Sequence, residues 1–178
     1  MALYGNTQLT GVERTFDRDD IIVSKTDTVG KMTYGNRTFF KIAGYTENEC
    51  LGVQHNLIRH PDMPRCVFDF LWKRLSAGDE VFAYVINRSK NGDHYWVFAH
   101  VTPSLDGSGK TIGYHSTRRV PNRKTVDDHI VPLYKTLLQL EKSAESPSRG
   151  LAAGNEAVAA LLAEHKVGFN ELMFSLGT

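Results

Sequence analysis

The sequence predicts an α+β domain in which short helices cover one face of an antiparallel sheet, followed by further helices at the C-terminus. Three observations predict this fold. Two β-branched runs lie near the start of the chain, short helical patterns separated by glycine and proline follow, and three longer β-rich runs come next. Two strands, then helices, then a three-stranded meander is an order typical of α+β domains.

The composition indicates one globular domain with an appendage. The chain has 178 residues, of which 41% are hydrophobic and 23% charged, and its net charge is +1. This balance excludes a disordered chain and gives no sign of a nucleic-acid interface. The first 20 residues contain no apolar signal segment, and no run reaches the roughly 18 apolar residues that a spanning helix needs. We therefore expect a cytoplasmic protein without membrane insertion, in which Cys50 and Cys66 are reduced and buried.

Residues 1–18 are predicted to form an irregular N-terminal cap. Residues 21–27 and 32–36 follow as two short strands, because β-branched and aromatic residues flank the turn sequence DTVGK. Two such runs joined by a short loop that contains glycine predict a β-hairpin.

Short helical segments occupy residues 36–57. Thr46 and Glu49 have the spacing of a capping box, and Gly44 and Gly52 fit the C-terminal ends of helices. A longer helix is predicted over residues 65–78, where apolar side chains recur at helical spacing.

Three strands are predicted over residues 80–89, 94–105 and 111–120. The Asn-Gly pair at positions 91 and 92 joins the first two and is a strong hairpin signal. The predicted core domain therefore spans residues 19–120.

Residues 121–178 are predicted to form a helical signalling or docking segment. Residues 121–125 are interpreted as a polar joint and residues 145–150 as a break between two helices. Each helix carries an apolar seam, which we interpret as a dimer or docking surface. The seam residues are Ile130, Leu133, Leu137 and Leu140 in the first helix, and Val158, Leu162, His165, Phe169, Leu172 and Leu176 in the second.

The densest group of polar residues lies in the sequence QHNLIRHPDMPR, residues 54–65. The prolines stiffen this segment, so it could form a pocket wall; an ordinary surface loop is the alternative. Catalysis is not expected, since neither a nucleophile elbow nor a phosphate-binding glycine loop is present. His94 and His100 are six residues apart on one strand, about 20 Å, which is too far to share a metal ion.

The segments RHPDMP and KNGDHYW are specific to one known family. With the element order above, residues 19–120 resemble a PAS domain and, within that superfamily, the sensory domain of bacterial aerotaxis receptors. The resemblance implies FAD, held without a covalent bond, as a redox sensor that reports to a chemotaxis transducer. Together with the apolar seams, we expect a homodimer through the PAS domain and the C-terminal helices. The flavin-associated positions that the resemblance implies are Asn36, His55, Arg59, His60, Asp62, Trp72 and Asn87.

The chemistry of these side chains suggests a role for each. The Asn87 amide can meet the pyrimidine edge of a flavin, and Arg59 with His60 can face the pyrophosphate or the ribityl chain. Asp62 can hold Arg59 or His60, and Trp72 can stack on the ring or simply pack in the core. Asn36 has a second interpretation, as a helix N-cap. Redox change is expected to alter the partner of Asn87 and to reach the helix over residues 126–142 through the sheet.

One position departs from the family, and two other cofactor assignments stay open. The family usually has a tryptophan at the start of the third strand, where this chain has Val81 followed by Phe82, and Phe82 is predicted to face the other side of the sheet. The cysteine motif of light-sensing flavin domains is absent, so no cysteinyl adduct is expected. A haem sensor with His55 or His60 as axial ligand is one alternative, and a PAS interaction module without cofactor is the other.

Overall fold

The structure is a computed structural model and describes residues 8–177. Five strands form one antiparallel sheet with the spatial order β2-β1-β5-β4-β3. The strands are β1 Ile22–Thr26, β2 Met32–Gly35, β3 Val81–Arg88, β4 His94–Leu105 and β5 Thr111–Arg119. The predicted five-stranded sheet is confirmed, and each strand lies within one residue of its predicted bounds.

Short helices cover the inner face of the sheet, as predicted. They are α1 Arg37–Ala43, α2 Glu47–Cys50, a 3₁₀ helix His55–Ile58 and α3 Arg65–Ser76. The predicted caps are present. Gly44 ends α1 in the left-handed conformation at φ 73°, and Glu49 accepts a hydrogen bond from the Thr46 N–H at 2.9 Å.

The sheet register places small side chains in the middle of the inner face. Ser24 of β1 lies opposite Ser116 of β5, and Ala99 of β4 lies opposite Arg118 of β5. Because side chains alternate between faces along a strand, these residues all point toward the helical layer. Large core side chains such as Phe39 and Leu75 fill the space around them.

The N-terminal segment runs beside the turn between β3 and β4. The Arg14 Nε lies 2.8 Å from Asp93 Oδ2, and the Thr10 hydroxyl donates to Asp93 Oδ1 at 2.6 Å. Gly92 in this turn has φ 96°, and a Cβ there would lie 2.1 Å from the carbonyl oxygen of Gln8. The described part of the predicted cap is irregular, and residues 1–7 lie outside the described residues.

The C-terminal segment is helical from Arg123. It comprises α4 Arg123–Thr125, a π-helical turn Val126–Ile130, α5 Val131–Ser143, α6 Pro147–His165 and α7 Phe169–Ser175. The π turn precedes Pro132, which has no N–H to continue the regular helical ladder. None of the helices within residues 8–177 is long and apolar enough to cross a membrane.

Helices α5 and α7 cover the outer face of the sheet over β3 and β4. The Tyr134 hydroxyl of α5 donates to the Tyr84 carbonyl at 2.5 Å, and the Phe174 ring of α7 lies 4.6 Å from the Phe82 ring. The amide oxygen of Asn170 accepts the Phe82 N–H at 2.9 Å. Helix α7 thus pairs a backbone N–H of the edge strand β3, which would otherwise be open to pairing with another chain.

Three predictions about this segment are wrong in detail. The polar joint at 121–125 is already helical from Arg123, because Asn122 accepts the Thr125 N–H and caps the helix. The break at 145–150 ends at Ser146, which caps α6 by accepting the Arg149 N–H. The second seam is not continuous, since α6 ends at His165 with Lys166 as a left-handed cap at φ 55°, and His165 is exposed.

The two seams are partly buried within the same chain. Ile130, Leu137, Val158 and Leu172 are buried against the rest of the same chain. Apolar faces at helical spacing must be covered by something, and here the sheet and the neighbouring helices cover them. Half of each seam therefore packs internally, and a dimer or docking role for the seams stays a prediction.

Candidate functional site

A cavity of about 470 Å³ lies between the inner face of the sheet and α3. This volume falls within the range of about 300–1,000 Å³ that is typical of small-molecule sites. The small side chains of Ser24, Ala99 and Ser116 form its floor, and the register described above leaves the space open above them.

The cavity walls are largely apolar. Helix α3 presents Phe68, Leu71, Trp72 and Leu75, the 3₁₀ helix presents Ile58, and α6 presents Leu151. Val29 and Trp72, which are 65% and 37% exposed, lie where the cavity meets solvent. Such walls fit a flat, mostly apolar ligand that enters beside Trp72.

Five buried polar atoms that line the cavity make no hydrogen bond within residues 8–177. They are Thr26 Oγ1, Asn56 Oδ1, Asn87 Nδ2, Ser116 Oγ and Arg118 Nη1. Buried polar atoms are nearly always paired in folded proteins, so a group of five around one cavity needs an explanation. A ligand with complementary polar atoms supplies that explanation.

Asn56 and Asn87 are joined through Arg59. The Arg59 N–H donates to the Asn56 carbonyl at 3.0 Å, and Arg59 forms a β-bridge with Asn87. The unpaired atom of Asn56 is an acceptor and that of Asn87 is a donor. A heterocyclic edge with adjacent N–H and C=O groups is complementary to such a pair.

Arg118 brings a buried positive charge to the cavity. Arg118 is only 4% exposed, and its Nη2 donates to Ser24 Oγ at 2.8 Å and to His55 Nε2 at 2.9 Å. Burial lowers the pKa of Arg118 to about 10, so the guanidinium stays charged at neutral pH. No ion pair between Arg118 and a carboxylate is present in the described part of the chain.

His55 is the neutral partner of this cation. Burial, and then the neighbouring Arg118 charge, lower the pKa of His55 to about 3. Its Nε2 therefore acts as an acceptor for Arg118, and Ser24 Oγ lies 3.1 Å from the same nitrogen. The arrangement favours electron-rich ligand atoms near Arg118.

Comparison with known proteins agrees with the fold and the sequence motifs. Residues 32–118 match the family described as the PAS fold. The aerotaxis receptor of Escherichia coli (strain K12) is 42% identical over 122 residues, which are 67% of this chain and 23% of the receptor. Residues 32–118 are a PAS domain.

A second relative is less similar in sequence, and a solved structure shares the fold. The nitrogen fixation regulatory protein of Klebsiella pneumoniae is 25% identical over 103 residues, 58% of this chain and 21% of that protein. A light-oxygen-voltage domain studied with a flavin analogue superposes with a TM-score of 0.55 at 18% identity, covering 65% of this chain and 87% of that domain. The chain spans less than a quarter of either curated relative.

Four of the seven predicted site residues line the cavity of the PAS domain. They are His55, Arg59, Trp72 and Asn87. Arg59 lies over the Phe68 ring at 4.9 Å and donates to the Met63 carbonyl at 3.3 Å, so its guanidinium is held at the α3 side. Trp72 packs edge-to-face on Tyr114 with the ring centres 5.1 Å apart.

Asn36 lies outside the cavity. Its Oδ1 accepts the N–H groups of Phe39 and Val23, and its Nδ2 donates to the Ile21 carbonyl at 2.7 Å. The amide caps α1 and ties it to β1. The cofactor assignment of Asn36 is therefore corrected to its other interpretation, a helix N-cap.

His60 and Asp62 also lie outside the cavity. His60 faces the other way and packs edge-to-face on His94, with the ring centres 5.7 Å apart. Its Nδ1 accepts the backbone N–H of Asp62 at 3.1 Å, and the exposed Asp62 carboxylate lies 3.8 Å from the same nitrogen, so Asp62 contacts His60 away from the cavity. The short 3₁₀ helix and the turn after it rotate successive side chains to opposite sides, which separates His60 from Arg59.

The sequence prediction missed Asn56, Arg118 and Ser116. Asn56 lies inside the segment chosen as the pocket wall, and Arg118 and Ser116 alternate on the inner face of β5. A signal was available for Arg118, since a charged residue at an inward strand position has to meet a polar partner. The outward prediction for Phe82 is confirmed, because its ring stacks on His100 at 4.1 Å on the outer face.

Proposed function

We propose that this chain is a redox sensor that binds FAD without a covalent bond in the cavity of its PAS domain. The observation that carries the proposal is an acceptor on Asn56 and a donor on Asn87, both unpaired and both on residues that line a largely apolar cavity. The pyrimidine edge of an isoalloxazine has adjacent N–H and C=O groups that satisfy both atoms.

The remaining cavity residues fit the same ligand. Trp72, Phe68 and Leu71 offer apolar surface to a flat ring, and Arg118 offers a donor to an electron-rich ring atom. Arg59 lies beside the apolar wall and suits the phosphate-bearing end of the ligand. When bound, the flavin supplies reversible electron acceptance, and the protein orients the ring and excludes water.

The relatives support a sensory role for the chain. The relative that is 42% identical is an aerotaxis receptor, and a second one is a nitrogen fixation regulatory protein. We infer that this chain reports redox state to a chemotaxis transducer in the cytoplasm, through the helices that follow the sheet. A homodimer through the PAS domain and the C-terminal helices remains part of the proposal.

Two observations favour flavin over haem. The Nε2 of His55 is already held by Arg118, and His60 points away from the cavity. Axial ligation by either histidine would require the loss of these contacts. A PAS module without any cofactor is disfavoured by the five unpaired polar atoms.

An absorption spectrum of the full chain tests the proposal. Protein purified without added cofactor, or incubated with excess FAD and desalted, should show absorption bands at about 375 and 450 nm. FAD should bind at least as tightly as riboflavin, because Arg59 and Arg65 lie on the α3 side of the cavity. A Soret band would favour haem, and protein that stays colourless after FAD incubation would overturn the flavin assignment.

A further inference from the structure

Helix α6 belongs to the C-terminal segment, yet it supplies one side chain to the cavity. Leu151 lines the cavity together with α3 and the sheet, although it lies well beyond the last strand, β5. A ligand that fills this space will therefore contact a helix outside the PAS sheet and its helical layer.

Two contacts hold α6 against α3. The Asn155 amide of α6 donates to Asp69 Oδ2 of α3 at 2.8 Å. The backbone of α6 comes close to α3 at Gly154, where an added Cβ would lie 2.8 Å from Cys66 Cβ and 2.9 Å from Cys66 Sγ. Only glycine permits this separation between the helices, so the docked position is sensitive to a single methyl group.

Helix α3 faces the cavity on one side and α6 on the other. Phe68, Leu71 and Trp72 line the cavity, and Cys66 meets α6. Asp69 does both, since it lines the cavity and accepts the hydrogen bond from Asn155 of α6. The opposite side of α6 is exposed at Ala152, Glu156 and Ala159. Residues 144–146 and 166–168 join α6 to α5 and α7, and a Cβ added at Gly150 would lie 2.3 Å from the Glu141 carbonyl oxygen of α5. A shift of α6 would therefore change its contact with α5 as well as that with α3, while the pairing of the strands stays intact.

We propose that α6 is a strap whose docking on α3 is coupled to ligand occupancy of the cavity, an inference that rests on the proposed flavin function. A bound ring buries the Leu151 side chain and so adds apolar contact to the docked position of α6. Coupling is reciprocal, so docking of α6 tightens ligand binding by the same factor. A partner protein that binds docked α6 more tightly than undocked α6 would then respond to ligand occupancy of the cavity.

Hydrogen exchange and FAD titration of the full chain test this coupling. In the wild-type protein, FAD should slow amide exchange in α6 by about tenfold or more. Gly154→Ala should speed α6 exchange and raise the Kd for FAD about tenfold, a size typical of coupled sites. Alanine favours helices over glycine, so faster exchange would not come from a weaker helix. Gly107→Ala, at a turn position with nothing near the new methyl group, is the matched control.

Two further variants separate docking from contact with the ligand. Leu151→Ala should leave α6 exchange in ligand-free protein nearly unchanged, raise the Kd for FAD and abolish the FAD effect on α6. Cys66→Gly combined with Gly154→Ala restores the space between the helices and should recover wild-type FAD affinity.

The outcomes distinguish the strap from the flavin function itself. FAD binding with no change in α6 exchange overturns the strap and leaves the flavin assignment standing. An unchanged Kd in both Gly154→Ala and Leu151→Ala does the same. Absence of FAD binding by the wild-type chain overturns the flavin function and, with it, the strap.

Discussion

At the scale of single residues, Asn87 lowers the stability of the ligand-free protein but offers a hydrogen-bond donor to a ligand. Its amide lies among apolar groups at 4% exposure, and its Nδ2 has no partner within the described residues. A buried donor left unpaired costs about 1–3 kcal/mol of stability, more than a typical hydrogen bond contributes. A position that costs stability in the ligand-free protein is typical of residues held for binding.

Replacing Asn87 by leucine should therefore act in opposite directions on stability and binding. The Asn87→Leu variant should gain about 1 kcal/mol in the free energy of unfolding without ligand, because an unpaired donor is removed from the core. Its affinity for FAD should fall at least tenfold, and a redox-dependent change in the C-terminal helices should disappear. Chemical denaturation and FAD titration measure the two effects.

Tyr95→Phe is the matched control for Asn87→Leu. The Tyr95 hydroxyl is also buried without a hydrogen-bond partner among the described residues, but it does not line the cavity. Its removal should stabilise the protein and leave FAD affinity unchanged. Equal losses of affinity in both variants would show that Asn87 acts through general packing.

The sequence predicted part of this site for physical reasons. Alternation along β3 placed Asn87 on the helical side of the sheet, because the strand period is fixed at two residues. The segment from His55 to Asp62 has no such period, since a four-residue 3₁₀ helix and a turn set each direction separately. Arg59 and His60 therefore lie on opposite sides, and only the tertiary structure reveals which one meets the cavity.

At the scale of elements, Glu141 joins α5 to the start of α3. Pro64 precedes α3 and offers no side-chain cap, and the Cys66 N–H donates instead to Glu141 Oε1 at 2.8 Å. Arg65 Nε lies 3.1 Å from Glu141 Oε2. Burial acts to raise the pKa of Glu141, but the hydrogen bonds from Cys66 and Arg65 outweigh it and the pKa is lowered.

The Glu141→Gln variant should be less stable by about 1 kcal/mol at pH 7, because a charged acceptor becomes a neutral one. The lowered pKa of Glu141 means that its contribution is present above the unfolded value of 4.5 and is lost as pH falls below it. The difference between variant and wild type should accordingly shrink below about pH 4. Urea denaturation across this range measures it.

Glu156→Gln, on the exposed side of α6, controls for the loss of one negative charge. It should leave stability within about 0.5 kcal/mol of wild type at every pH. A difference for Glu141→Gln that persists undiminished in acid would mean that its carboxylate charge contributes nothing to the junction.

The elements themselves were largely predictable, and their contacts were not. Strand bounds followed from local patterns, since β-branched runs and the Asn91–Gly92 turn fix a hairpin without help from the rest of the chain. The C-terminal seams were correctly identified as apolar faces, but periodicity cannot show what covers such a face. Aromatic residues on the outer sheet face, such as Trp96 and Phe98, offered the missing hint that this face needed cover.

At the scale of the whole molecule, the C-terminal helices pack on the PAS domain and cover the outer face of its sheet. Without them, the outer face of β3 and β4 would expose Phe82, Tyr84, Trp96 and Phe98 as one aromatic patch. Exposed apolar surfaces of this kind promote association. The helices from Arg123 to Ser175 and the sheet are therefore expected to unfold as one unit.

The stability of this unit should depend on pH through two buried histidines. Burial is the main cause that lowers the pKa of His55 to about 3 and that of His60 to about 4. The unfolded chain binds a proton at each histidine below its ordinary pKa of 6.5, whereas the folded chain does not until these lower values are reached. Each histidine therefore removes up to about 1.4 kcal/mol of stability per pH unit as the pH falls through this window.

The His55→Gln variant should weaken this dependence. Between pH 6.5 and 5, where Glu141 stays ionised, its free energy of unfolding should fall less steeply than that of the wild type, by about 1 kcal/mol per pH unit. His165→Gln, which changes an exposed histidine at the end of α6, should keep the wild-type slope. Denaturant titrations of the ligand-free chain at intervals of half a pH unit measure the slopes. Parallel curves for His55→Gln and wild type would mean that His55 is protonated in the folded protein, which the contact from Arg118 to its Nε2 does not allow.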